Sequence, residues 1–193
     1  MAKKALIWST IVVLLVGVAA YRQFAGPATP DHGINSYLTG EMAKLVLLEP
    51  AEEATGHIIM REDGTPIAIN EFNDKVLLVN LWAPWCAPCR AEMKELANLQ
   101  KALGDEHFEV VAVNVDRSSI GGARETLQEW GVEGLGLYAD PTMKIALDLA
   151  EGRLPTSLII DRAGMVRALY VGPLAWDKPE SLSLFKALKQ KVL

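Results

Sequence analysis

The sequence predicts an α/β domain built on one mixed β-sheet with helices on both faces. Residues 76–80 form a short apolar run with the β-branched valines of a buried strand, expected over 75–81, and Cys86-Ala87-Pro88-Cys89 follows after Trp82-Ala83-Pro84-Trp85. Residues 91–103 are then strong helix formers in which Met93, Leu96, Leu99 and Leu103 recur at steps of three and four, marking one apolar face. A second strand at 108–115 closes a strand–helix–strand unit, whose crossover should be right-handed and parallel. Later in the chain come two strands and a helix, at 156–161, 165–171 and 178–191, with Arg162-Ala163-Gly164 turning the first strand back on the second.

From the N-terminus, Met1-Ala2-Lys3-Lys4 is a basic head, and residues 5–21 carry no formal charge. As a helix this stretch would reach ~26 Å at 1.5 Å per residue, short for a bilayer crossing but longer than a typical signal-peptide core. An uncleaved anchor occupying 1–24 is the expectation. A cleaved signal ending near Val18-Ala19-Ala20 is the alternative, and either places Lys3 and Lys4 in the cytoplasm. Residues 25–56 hold Gly26, Pro27, Pro30 and Gly33 and read as a tether. Within it, 41–48 is expected to form a short helix with Met42, Leu45 and Val46 inward, ended by Pro50.

The folded domain is expected at 57–193. His57-Ile58-Ile59-Met60 and Pro66-Ile67-Ala68-Ile69 flank Glu62-Asp63-Gly64, which predicts a hairpin. A helix at 122–130 should stop at Gly131, a strand should lie at 135–139, and a helix at 142–150 should end at Gly152. The formal net charge of −5 gives no reason to expect a nucleic-acid partner.

The two cysteines are the only ones in 193 residues. A cysteine at a helix N-terminus meets unpaired N–H groups and the positive end of the helix dipole, which favour thiolate. Cys86 has that place, and Cys89 lies one turn on. A static disulfide across so short a loop would stabilise little. A zinc site needs about four Cys or His ligands, and no second Cys-x-x-Cys exists. Redox use of the pair is the expectation, with no cofactor. Glu92, one further turn on, is the acidic candidate for holding a proton near neutral pH; a solvated helix glutamate, like Glu95, is the competing reading. His32, His57 and His107 are scattered and far from the cysteines in sequence.

The stretch 79–92, together with Val111-Ala112-Val113-Asn114-Val115-Asp116 and Leu154-Pro155-Thr156-Ser157, resembles the thioredoxin superfamily and, within it, the membrane-anchored TlpA/ResA-like thiol–disulfide oxidoreductases. The resemblance runs from about residue 57 to the end. Thr39-Gly40-Glu41-Met42-Ala43 and Gly172-Pro173-Leu174-Ala175-Trp176 extend it toward the TlpA branch. It implies a thioredoxin-like fold with an inserted strand–helix segment, a slot that 135–152 fits. It also implies Cys86 as attacking thiol, Cys89 as the more buried resolving thiol, and a glutamate at position 92 near the site. Leu154-Pro155-Thr156 matches the cis-proline motif, placing Pro155 opposite the cysteines at the start of an edge strand and freeing the Leu154 backbone to pair with substrate. Trp82 should pack beneath the motif and Trp85 border the substrate groove. Where thioredoxin has a buried aspartate this chain has Asn80, which cannot relay a proton.

The function implied is a monomeric periplasmic reductase on the inner membrane, re-reduced by a membrane electron donor. Its implied targets are protein disulfides: a cytochrome oxidase subunit or its copper chaperone, or apocytochrome c, with the TlpA likeness favouring the oxidase route. A disulfide-forming oxidant and a copper-binding assembly chaperone are the alternatives, since thioredoxin-like pairs run from about −270 to −120 mV and two thiolates can hold Cu(I).

Overall fold

The β-branched and apolar runs become strands at the centre of one sheet. A computed structural model of the protein describes residues 34–54, 56–72, 74–117 and 120–190. Its strands are β1 (Val46–Glu53), β2 (Ile58–Arg61), β3 (Pro66–Ala68), β4 (Val76–Trp82), β5 (Phe108–Asn114), β6 (Gly136–Ala139), β7 (Thr156–Ile160) and β8 (Met165–Val171). Its α-helices are α1 (Ala87–Leu103), α2 (Ile120–Glu129), α3 (Lys144–Ala150) and α4 (Pro179–Gln190). The sheet order is β1-β8-β7-β4-β5-β6-β2-β3. β4, β5 and β6 run parallel, and the other pairs are antiparallel. This is the thioredoxin-like mixed sheet, with β6 and α3 filling the inserted slot.

β4 is buried at every residue, and strand alternation sends its side chains to two separate cores. Val76, Leu78 and Trp82 join the core formed with Met93, Leu96 and Leu99 of α1, Ala123 and Leu127 of α2, and Leu184 and Phe185 of α4. Leu77, Val79 and Leu81 face the second core, which contains Ile145, Ala146 and Ala150 of α3. Asn80 falls on the α1 face by the same alternation, between Leu78 and Trp82, and is fully buried.

The segment before residue 57 departs from the expected tether. Ile34 and Met42 are buried in the α1-side core, and β1 pairs with β8 as an edge strand. Instead of a helix at 41–48, Gly40–Lys44 is a single 3₁₀ stretch, and β1 starts at Val46. Met42 and Leu45 do point inward, but Val46 is 55% exposed. The β-branched run Val46-Leu47 pairs with Leu169 and Ala168, and the register then breaks before Glu52. Pro50 sits in that break, where a strand can accept a residue without an N–H. The expected anchor at 5–21 lies outside the described residues; among those described, no helix is long and apolar enough to cross a membrane.

Candidate active site

β4 delivers the chain to the site, and a tight turn at 83–86 starts α1, with the Cys86 N–H donating to the Ala83 carbonyl at 3.0 Å. Cys86 is the N-cap of α1, and Pro88 lies in the first turn, where its missing N–H leaves no bond unmade. Cys86 and Cys89 form a disulfide with Cα atoms 5.3 Å apart. Cys86 keeps 4% of its surface exposed and Cys89 none. The Cys89 N–H points at the Cys86 sulfur, 3.3 Å away. On reduction that donor and the helix terminus would both favour a thiolate on Cys86. Arg90, the nearest fixed cation in sequence, places its guanidinium 5.9 Å from the Trp130 ring centroid. Trp130 in turn meets Trp82 edge-on at 5.6 Å, and Trp82 is fully buried beneath the motif.

Glu92 is not a solvated helix residue. It faces the core one turn past Cys89 and is 1% exposed. Its Oε1 accepts from Asn80 Nδ2 at 2.8 Å. Its Oε2 accepts from the Leu174 N–H and from the Trp176 indole N–H, each at 2.9 Å. Burial pushes its carboxyl up to about 7; the three donors pull the other way, and the charge of Glu95 adds to the rise. Glu95 is also pushed up, chiefly by burial and then by Asp177. The β8–α4 connection is thus clasped by one side of α1: Glu92 holds Leu174 and Trp176, Glu95 accepts the Trp176 N–H at 3.3 Å, and Asn98 donates to Asp177 at 2.9 Å.

The β4–β7 register pairs Leu81 with Thr156, which sets Leu154 and Pro155 beside the end of β4 where the cysteine turn begins. The Leu154–Pro155 peptide is cis. The strand that follows is interior, between β4 and β8, and not the edge strand expected from the sequence. The Pro155 carbonyl accepts from the Gly172 N–H at 2.9 Å, and the Thr156 hydroxyl donates to the Arg153 carbonyl at 2.8 Å. Pro155 and Thr156 are buried and Leu154 is half-buried. Trp85 is 64% exposed, with its indole N–H fixed on Asp116 at 2.8 Å. His57 pairs with Asp148 at 3.2 Å and His107 with Asp74 at 3.6 Å, so neither is drawn into the cysteine site.

The structure therefore brings Cys86, Cys89, Glu92, Leu154, Pro155 and Thr156 to one end of the sheet. The sequence reading missed the partners of Glu92. Ser157, opposite Asn80 in the β4–β7 register, accepts from Asn80 Nδ2 at 2.9 Å. Trp176 reaches Glu92 from 84 residues away, a separation that no local pattern encodes.

A family model described as Redoxin matches residues 49–186. The thiol:disulfide interchange protein HelX of Rhodobacter capsulatus is 31% identical over 167 residues, covering 86% of each chain. The thiol-disulfide oxidoreductase ResA of Bacillus thuringiensis is 24% identical over 172 residues, 89% of this chain and 91% of ResA. Among solved structures, a candidate thiol:disulfide interchange protein DsbE from Chlorobium tepidum superposes with a TM-score of 0.62 at 27% identity, over 72% of this chain and 96% of that one.

Proposed function

Because this chain belongs to the Redoxin family and is a thiol–disulfide oxidoreductase of the TlpA/ResA type, we propose that it reduces disulfides of partner proteins on the periplasmic side of the inner membrane. The observation that carries this reading is the Cys86–Cys89 pair at the start of α1, with the buried Glu92 carboxyl one turn beyond it. A Cys86 thiolate attacks one sulfur of a target disulfide, forming a mixed disulfide and releasing one target thiolate, which takes a proton from water. Cys89 passes its proton to the Glu92 carboxylate, and the resulting thiolate attacks the Cys86 sulfur. The second target thiolate leaves, and the Cys86–Cys89 disulfide remains. Two electrons have moved to the target, and a membrane dithiol donor restores the pair. Trp85, which is exposed, and the half-buried Leu154 are assigned to the substrate approach, with the buried Pro155 and Thr156 fixing the backbone there. Among the described residues, the Leu154 backbone has no hydrogen-bond partner, which suits pairing with an extended substrate segment.

The reductant direction is supported by the surroundings of Cys86. A strong oxidant needs a heavily stabilised thiolate, and here the stabilisers are one helix terminus and one backbone N–H, while Arg90 stacks on Trp130. The resemblance of 39–43 and 172–176 to the TlpA branch supports copper-site cysteines of a cytochrome oxidase subunit, or of its copper chaperone, as targets. Apocytochrome c is the second target class. The basic head and uncharged span at 5–21 support a single anchor with a monomeric domain outside the cytoplasm. An equilibrium titration of the pair against glutathione tests the direction. A potential near thioredoxin's ~−270 mV is expected, and one near DsbA's ~−120 mV would make the protein an oxidant.

A further inference from the structure

The pocket around Glu92 contains an unmatched polar atom. Asn80 is fully buried, and both of its described hydrogen bonds are donated by Nδ2, to Glu92 Oε1 at 2.8 Å and to Ser157 Oγ at 2.9 Å. Its Oδ1 is buried with no partner. A buried amide oxygen left alone costs about 1–3 kcal/mol; a half-turn of the amide would pass that cost to its N–H groups while giving Oδ1 the partners that Nδ2 now has. The two oxygens of Glu92 are also unequal. Oε2 already accepts two N–H groups, from Leu174 and Trp176, whereas Oε1 accepts one. A proton arriving on the carboxylate therefore goes to Oε1, the oxygen facing Asn80. There it would oppose an N–H donor unless the amide turned.

We infer that Asn80 is a positioning residue for that proton: its amide donates Nδ2 to the Glu92 carboxylate and, after a half-turn about its terminal torsion, accepts the Oε1–H of the Glu92 acid on Oδ1. In the turned state the Ser157 hydroxyl donates to Oδ1 rather than accepting from Nδ2, since a hydroxyl can do either. The two side chains stay in register because Asn80 and Ser157 are directly paired across β4 and β7. An amide has this capacity and neither a carboxylate nor an alkyl group does; a carboxylate in the same place would repel the ionised Glu92. The proton balance is that of the exchange itself: Cys89 loses the proton that Oε1 gains, and no other reactant is needed. The inference rests on Glu92 as proton holder. Around the pocket, the titratable groups are Cys86 and Cys89 at the head of α1, Glu95 further along it, Asp177 and Lys178 after β8, and Glu41 from the 3₁₀ stretch; the last three act mainly on Glu95.

The test uses the full chain in its disulfide form, in which the cysteines do not titrate. The infrared carboxylic-acid stretch of Glu92 is identified by its loss in Glu92→Gln and followed with pH. In Asn80→Leu the acid loses its acceptor and the carboxylate its donor together, so the band should move to higher wavenumber while the titration midpoint moves by well under one unit. A midpoint raised by about one unit or more with the band unmoved would mean that Asn80 is a fixed donor, and would overturn the inference. The native chain gives a second measurement that needs no variant at this site. The Asn80 side-chain amide protons should shift upfield as Glu92 takes its proton, because both acceptors of Nδ2 are lost. If they stay at hydrogen-bonded positions throughout, the half-turn does not occur. A Glu92→Gln chain whose exchange rate keeps the native pH profile would instead remove the proton role of Glu92 itself, a separate failure.

Discussion

Replacing Glu92 by Gln should flatten the pH dependence of stability between pH 5 and pH 9. The folded-state carboxyl lies at about 7 against an ordinary value of 4.5. The native state thus holds a proton that the unfolded chain has released anywhere between those values. Stability from this group is fully present below pH 4.5 and is lost as pH rises through 7. Two and a half units at about 1.4 kcal/mol each make about 3 kcal/mol in all, of which about 2.5 kcal/mol falls between pH 5 and pH 9. Urea unfolding of the disulfide form at a series of pH values measures it, and subtracting the Glu92→Gln curve removes the titration of every other group. With a slope of about 2 kcal/mol per molar, the native midpoint should fall by roughly 1 M more than the variant's across that range. The variant will carry its own offset, because the NH₂ of the introduced glutamine must face the Asn80, Leu174 or Trp176 donors, but that offset does not vary with pH. Parallel curves for native and variant would refute the claim that burial outweighs the three donors.

Trp176→Phe removes the indole N–H that pulls Glu92 down, so the midpoint of the Glu92 titration should move above 7, at a cost of about 1–3 kcal/mol in stability; an unmoved infrared midpoint would count against the bond. Cys89→Ser should accumulate target proteins as mixed disulfides on Cys86, visible on non-reducing gels, whereas Cys86→Ser should not; the reverse result would exchange the two roles. A membrane-impermeant thiol reagent should label reduced Cys86 in intact spheroplasts, and labelling only after lysis would place the domain on the other side of the membrane.

Most of the frame was readable because its signals are local. The apolar periodicity of Met93, Leu96, Leu99 and Leu103 marked α1, and the unbroken apolar run before the cysteines marked β4, which is buried on both faces. β1 was unreadable for a physical reason. As an edge strand it pairs on one side only, so Glu49, Glu52 and Glu53 sit in it beside Pro50 without penalty, and its pattern is that of a loop. Glu92 was ambiguous although its helix carried one signal: three residues after Cys89 and four before Leu96, it falls on the apolar stripe that Glu95 only flanks. What separates them is how far each is buried and which groups reach it from the β8–α4 connection more than 80 residues away.

That distant connection also bears on the proposed proton transfer from Cys89 to Glu92. An ordinary thiol titrates near 8.5 and an ordinary glutamate near 4.3, so moving a proton from one to the other would be uphill by about four units, or about 6 kcal/mol. Raised from its ordinary 4.5 to about 7, Glu92 shortens that climb by about 2.5 units, or about 3 kcal/mol. Burial alone would carry the carboxyl higher still, and it would then keep its proton and never accept one. The N–H groups of Leu174 and Trp176 set the limit on that rise. On the proposed mechanism, the clasp between α1 and the β8–α4 connection would tune the acid that takes the Cys89 proton: burial raises it, and the N–H groups of the connection restrain the rise.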